Sequence, residues 1–216
     1  MDCDHSASHS GGARYEPGER KLRLVLVCDR CGAERAELER IAYAPNARRL
    51  AGHLAELIAR ELGLEGPLIA RVGFAALICG EGRDRIPAEV LNKRGPLNED
   101  ERTIVRHQPE IGASLFGDAS FGDMREWILC HRERPDGGGY PRGLTAERIP
   151  QEARILAVAE AYAAMTRERP YRGARDHEEA CRELVRCSGS QFDRAVVEAF
   201  LHASARRNGQ LAGAPA

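Results

Sequence analysis

The sequence has almost no net charge. Its 32 lysines and arginines stand against 33 aspartates and glutamates, leaving a formal charge of −1. A protein that wraps a polyanion carries a basic excess, so bulk nucleic-acid binding is disfavoured. Lysine is nearly missing: Lys21 and Lys93 stand alone, and every other strong base is arginine. With heavy alanine and glycine use, that bias is typical of a GC-rich bacterial coding sequence and says nothing about function. No apolar run approaches the ~20 residues of a spanning helix. The start, MDCDHSASHSGGARYEPGER, has no apolar centre and does not read as a secretory leader. The expectation is a cytoplasmic protein without a membrane segment. A disulfide framework is disfavoured too, because the seven cysteines are an odd number without a secretory signal. Buried thiols or metal ligands remain.

What is present is ordinary globular chemistry, with 43% hydrophobic and 30% charged residues over 216 positions. The first ~20 residues read as loosely ordered, by their polar and glycine-containing composition. KLRLVLV (21–27) alternates as a strand does, CDRCG (28–32) is a tight turn, and 33–43 is a second strand or a short helix. From Asn46 the period becomes helical. Leu50, Leu54, Leu57, Ile58 and Leu62 share one face, and Gly63 suits the stop. VGFAALIC (72–79) is a short apolar helix. Asn98 and Glu101 read as a capping box before a helix that ends near His107. Residues 121–132 are helical, with Met124, Trp127, Ile128 and His131 on one stripe. The glycines and prolines of 131–144 impose a loop. A strongly apolar helix covers 153–166, and Asp176 and Asp193 are N-caps for two final helices. The expected organisation is a zinc-knuckle-like unit over 1–45, a helical domain over 46–202 and a tail over 203–216. The fold class is mainly α, a helical bundle with a small two-stranded N-terminal unit.

The N-terminal unit carries Cys28-Asp-Arg-Cys31-Gly32. Two thiolates at this spacing can grip one zinc, and Gly32 permits the tight turn. Zinc takes four ligands, and Cys3 and His5, with His9 as a substitute for His5, are available to complete a structural site. Such a site would stabilise a unit too small to bury its own core. The plainer reading is a turn with two cysteines and no metal.

At residues 131–144 the sequence becomes specific. HRERPDGGGYPRGL, then IP (149–150), ARILAVAEAYAAMT (153–166) and RPYR (169–172), closely resemble the HD-GYP family of bacterial helical metal-dependent phosphohydrolases. Upstream, IPAEVLNKRGPLNEDERTIVRHQPEIGASL (86–115) is similar to the segment before the signature loop. Downstream, SGSQFDRAVVEAFL (188–201) is similar to the family's C-terminal stretch. The resemblance covers about residues 46–202. It implies an HD-domain helical bundle, hydrolysis of cyclic di-GMP, and several His and Asp ligands around two or three metal ions that activate a water.

Carried over residue by residue, the resemblance puts Ala47 where the family has its first-helix His. Cys79 and Gly80 fall where it has the name-giving His-Asp doublet, and Arg83 where it has a lysine. His107 matches a ligand position, and His131-Arg132 replaces a double His. Glu160 stands for a helical Asp and Ala163 for the Asp that follows. The implied function is therefore that of a degenerate HD-GYP signalling protein, non-hydrolytic, binding a partner protein or cyclic di-GMP. The alternative is an active phosphodiesterase with a reduced centre, one divalent metal on His107, His131 and Glu160 with Cys79 as a possible fourth ligand. His131 reads equally as a hydrogen-bonded core histidine. Glu160 is costly in its apolar helix unless it is paired, metal-bound or on the outer face. Arg132 can pair with Glu160 without any metal or bind a phosphodiester, and Arg83 is a second guanidinium suited to phosphate. Asp136, Gly139, Tyr140 and Arg154 complete the candidate ligand-binding set, with packing as the plainer role for Tyr140 and Arg154. Protein or cyclic-dinucleotide partners are expected, with a homodimer left open.

Overall fold

The computed structural model describes residues 8–16, 21–28, 34–41, 46–93, 95–114, 121–167 and 173–212, with side chains described within 48–206. Three strands come first, β1 (Ser8–Glu16), β2 (Lys21–Cys28) and β3 (Glu34–Ile41), in an antiparallel sheet of order β1-β2-β3. Tyr15 pairs with Leu22, Leu24 with Leu38, and the register shifts between Ser10 and Gly12 and between Leu26 and Val27. This corrects two expectations. The sheet has three strands rather than two, and part of the polar start is the strand β1. SHSGGARYE has no alternation to reveal it. The ambiguous 33–43 segment is a strand.

The rest is helical: α1 (Asn46–Glu61), α2 (Gly66–Ile78), α3 (Glu81–Asp84), α4 (Ala88–Leu91), α5 (Glu99–Arg106), α6 (Gln108–Ser114), α7 (Gly122–Cys130), α8 (Gln151–Met165), α9 (His177–Arg186) and α10 (Arg194–Ala212). α10 continues to Ala212, into the stretch expected to be a tail. Gly63 has φ +76°, the left-handed conformation that ends α1. The Asn98 capping box forms, with Asn98 Oδ1 accepting from Glu101 N and Glu101 Oε2 accepting from Asn98 N, both at 2.8 Å. Asp176 caps α9 through Glu179 N at 2.7 Å, and Asp193 caps α10 through Val196 N at 3.1 Å.

α8 is the central helix, in contact with α1, α2, α7, α9 and α10. Its buried positions are mostly small or β-branched: Ala153, Ile155, Leu156, Val158, Ala159 and Ala163. Small side chains let several helices approach one axis, which is why its apolar residues run almost all round. α1 and α2 approach closely at two glycines. A Cβ on Gly52 would stand 3.0 Å from the Gly73 carbonyl oxygen, and one on Gly73 would run into the Glu56 side chain. Ile58, Phe74, Met124, Ile128, Leu184 and Phe200 fill the core between these helices. Each contributes about 1.5–3 kcal/mol by leaving water. α7 and α2 are thereby fixed against α8, with their C-terminal ends beside its middle. No described helix is long and apolar enough to cross a membrane.

Candidate functional site

Three helices each deliver one donor to the same place. Cys79 follows the last residue of α2, fully buried, its thiol donating to Ala76 O at 3.3 Å. His131 follows the last residue of α7 and is 2% exposed. Glu160 projects from the middle of α8. Their donor atoms lie within 4.8 Å of one another, and this is the one group of three metal-capable side chains among the described residues.

The imidazole is oriented by its own helix. His131 Nδ1 lies 2.5 Å from Ile128 O. A carbonyl oxygen only accepts, so Nδ1 carries the hydrogen and Nε2 the lone pair. Nε2 is 3.5 Å from Glu160 Oε2 and has no hydrogen-bond partner. Burial first, and then the Arg132 charge, hold the imidazole neutral, its pKa pushed down to about 4 against the pull of Glu160. Burial, and next the Glu160 charge, push the Cys79 thiol up. Arg132, the residue after His131, sends Nη2 to Glu160 Oε1 at 2.9 Å. The carboxylate in the apolar helix is thus paired with a guanidinium. On the other side of Cys79, Arg48 of α1 clamps the α2–α3 junction through Glu81 Oε1 at 2.6 Å, Gly80 O at 3.2 Å and Asp84.

The loop after α7 is built on a buried carboxylate. Glu133 is 3% exposed, and its two oxygens accept from Arg142 N at 2.6 Å and Leu144 N at 2.9 Å. Asp136 Oδ1 accepts from Gly138 N at 2.9 Å and from Arg134 Nε at 3.0 Å. Gly139 has to be glycine: a Cβ there would stand 2.5 Å from Arg134 N and Glu133 Cα. The loop closes one side of a pocket of about 270 Å³. His131, Arg132, Arg106, Arg134, Tyr140 and Gln191 are among its lining residues.

The structure therefore brings together only part of the expected set. His131 and Glu160 meet, with Cys79. His107 lies at the α5–α6 junction with its side chain 58% exposed, Nδ1 on Thr103 O at 2.7 Å and Nε2 3.7 Å from Glu110, and it is not in the group. Its neighbour Gln108 is the buried one, 3% exposed, with Nε2 unpartnered. Arg132 and Tyr140 line the pocket. Asp136 and Gly139 shape the loop behind it, Arg154 pairs with Asp193 at 2.6 Å, and Arg83 sits on α3 outside the pocket lining. Glu133 was not foreseen as the loop's anchor. Cys3, His5, His9 and Cys31 of the zinc expectation fall outside the residues or side chains described, and Cys28 is described only as the backbone end of β2.

The donors fit one cation better than two. Paired cations stand about 3.5–4 Å apart and share more than three donors. Among the described residues three gather, with a guanidinium on the carboxylate they would share. One cation is a different matter: a buried imidazole lone pair without a partner, beside a thiol and a carboxylate oxygen, is a donor set for a single borderline-soft ion.

Comparison with known proteins gives a consistent outcome. The HD domain family matches residues 27–196. The cyclic di-GMP phosphodiesterase response regulator RpfG of Xanthomonas campestris is 36% identical over 188 residues, covering 80% of this chain and 49% of that protein. A cyclic di-GMP phosphodiesterase of Thermotoga maritima is 37% identical over 153 residues, 69% of this chain and 42% of that protein. The chain thus spans about half, or less, of the length of these relatives. Among solved structures, a cyclic GMP-AMP specific phosphodiesterase of V. cholerae superposes with a TM-score of 0.57 at 20% identity, covering 76% of this chain and 45% of the other. An HDG"Y"P protein from Bdellovibrio bacteriovorus gives 0.56 at 18% identity, with 71% and 50% covered. These two likenesses speak for the fold alone. With the family match over most of its length, the chain belongs to the HD domain family.

Proposed function

We propose that this chain binds a cyclic dinucleotide in the pocket over Arg132 and does not cleave it. The observation that carries the reading is the Arg132–Glu160 ion pair. A hydrolytic centre with two cations needs the helix-borne carboxylate as a ligand between them. Here a guanidinium lies against it, so the positive charge of one cation is supplied covalently by the chain. Around the pocket, Arg106 and Arg132 bring guanidinium groups of the kind that hold phosphate oxygens, Arg134 adds positive charge although its fork is held by Asp136, and Tyr140 adds an aromatic ring for a base. Bound phosphodiester would be held and neutralised, with no paired ions to activate a water.

A second reading is favoured by a different observation. Curated relatives of this chain are named cyclic di-GMP phosphodiesterases, and 3′3′-cGAMP-specific phosphodiesterases are among the others. By that likeness the chain hydrolyses a cyclic dinucleotide with a reduced metal centre.

Calorimetric titration with cyclic di-GMP and 3′3′-cGAMP, alongside a turnover assay with added manganese or iron, separates the two. Binding without hydrolysis requires saturable heat from one of the dinucleotides, affinity weakened about tenfold or more by Arg132→Ala, consistent with loss of a charge-assisted contact of about 1.5–3 kcal/mol, and no linear dinucleotide product. Metal-dependent product above the buffer background would establish the second reading and refute the first.

A further inference from the structure

The Arg132 pair accounts for one oxygen of Glu160. The other side of that carboxylate faces a histidine nitrogen whose chemistry is fixed. Because His131 Nδ1–H is donated to Ile128 O at 2.5 Å, Nε2 presents its lone pair, fully buried and unpartnered, toward Glu160 Oε2 at 3.5 Å. A fully buried imidazole nitrogen whose lone pair meets no hydrogen is unfavourable, and a cation bound to it would relieve that cost. Cys79 Sγ, also buried, stands within 4.8 Å of both. Tetrahedral zinc, with bonds of about 2.0–2.3 Å, spaces its ligand atoms about 3.3–3.8 Å apart. The three donors, delivered from three different helices, lie near that spacing.

We propose that Cys79, His131 and Glu160 form a single-cation site that takes zinc or another thiophilic divalent ion, with Arg132 as the positioning residue that holds Glu160 by its other oxygen. This departs from the multi-ion, His- and Asp-based centre that the family resemblance implies, because a thiol stands in the set. A sulfur ligand turns preference from hard, oxygen-loving ions toward zinc. Charge supports it. A divalent ion with one thiolate, one carboxylate and the neighbouring guanidinium leaves a net single positive charge, which favours an anion as the fourth ligand. The thiol gives up its proton to solvent as the ion binds. The site lies on three rigid helix positions rather than on the loop, and Arg132 on the carboxylate is the kind of outer contact that fixes a ligand's orientation. The dinucleotide binding proposed above does not require this ion, so either inference can fail without the other.

The test is cobalt(II) titration of the full chain carrying Cys3→Ser, Cys28→Ser and Cys31→Ser, which removes the competing N-terminal thiols. One equivalent of cobalt should bind and give a near-ultraviolet thiolate-to-cobalt charge-transfer band. Cys79→Ser in that background should abolish the band and weaken binding at least tenfold. Zinc should displace cobalt one for one. X-ray absorption of the zinc-loaded Cys3→Ser/Cys28→Ser/Cys31→Ser chain provides a readout that leaves the site itself unaltered, and should find one sulfur at about 2.3 Å with nitrogen and oxygen at about 2.0–2.2 Å. No stoichiometric binding, or a zinc shell without sulfur, would overturn the proposal. If Cys79→Ser melts more than a few degrees below its parent without metal, the absorption shell alone decides.

Discussion

The Arg132–Glu160 pair can be weighed by a double-mutant cycle. With charge centres about 4 Å apart and an effective dielectric near 20, the attraction is about 4 kcal/mol. The Arg132 side chain is 32% exposed and that of Glu160 18%, so water screens part of it. A coupling of about 1–3 kcal/mol is expected. The single changes should be unequal. Arg132→Met strands a carboxylate beside the His131 lone pair and should cost about 2–4 kcal/mol, toward the range for breaking a buried pair. Glu160→Gln leaves a guanidinium that reaches the pocket and should cost about 1–2 kcal/mol. The double variant should be more stable than the sum of the two predicts, by the coupling. Urea unfolding followed by helical circular dichroism at neutral pH, with EDTA present to exclude bound cations, gives all four stabilities. A coupling below about 0.5 kcal/mol would show that the pair does not hold the carboxylate, and with it would go the argument that a guanidinium replaces a cation here.

Three further expectations rest on single side chains. Glu133→Gln turns one acceptor of a backbone N–H into a donor facing a donor, and should lower stability by about 2–4 kcal/mol in urea unfolding, with faster protease cleavage within 134–144. Gly139→Ala forces a methyl into the Glu133–Arg134 backbone and should cost about 1–3 kcal/mol or more, read as a fall in melting temperature, whereas alanine at exposed Gly95, where a Cβ meets nothing, should change it little. Asp193→Ala removes both the α10 cap and the Arg154 pair and should cost about 2–3 kcal/mol by the same unfolding measurement. Asp193→Asn, which keeps the cap and loses the charge, should recover about half.

The parts of the fold that could be read from the chain were those with local causes. The Asn98 box, the Asp176 and Asp193 caps and the Gly63 stop each depend on residues within four positions, and each forms as its sequence says. The loop at 131–144 was legible for the same reason. Its anchor was not, because nothing in Glu133 itself says that it will reach nine and eleven residues ahead. The Arg48 clamp spans 32 to 36 positions and follows only from how α1 lies across the α2–α3 junction. His107 and Gln108 show the limit most plainly. They are adjacent, His107 closing α5 and Gln108 opening α6, yet the His107 ring stays at the surface on Thr103 O while Gln108 is buried. β1 escaped because its composition is glycine-containing and polar, and strand pairing with β2 depends on the partner rather than on SHSGGARYE alone.

Glu133 has one more consequence. By stapling the chain to itself at both ends of the glycine turn, it makes the loop a closed lasso whose outline owes nothing to what occupies the hollow beside it. The clustered donors lie outside that knot, Cys79 and His131 at helix ends and Glu160 within α8. A substitution among them leaves both Glu133 hydrogen bonds, and so the outline of the loop, without a direct cause to change.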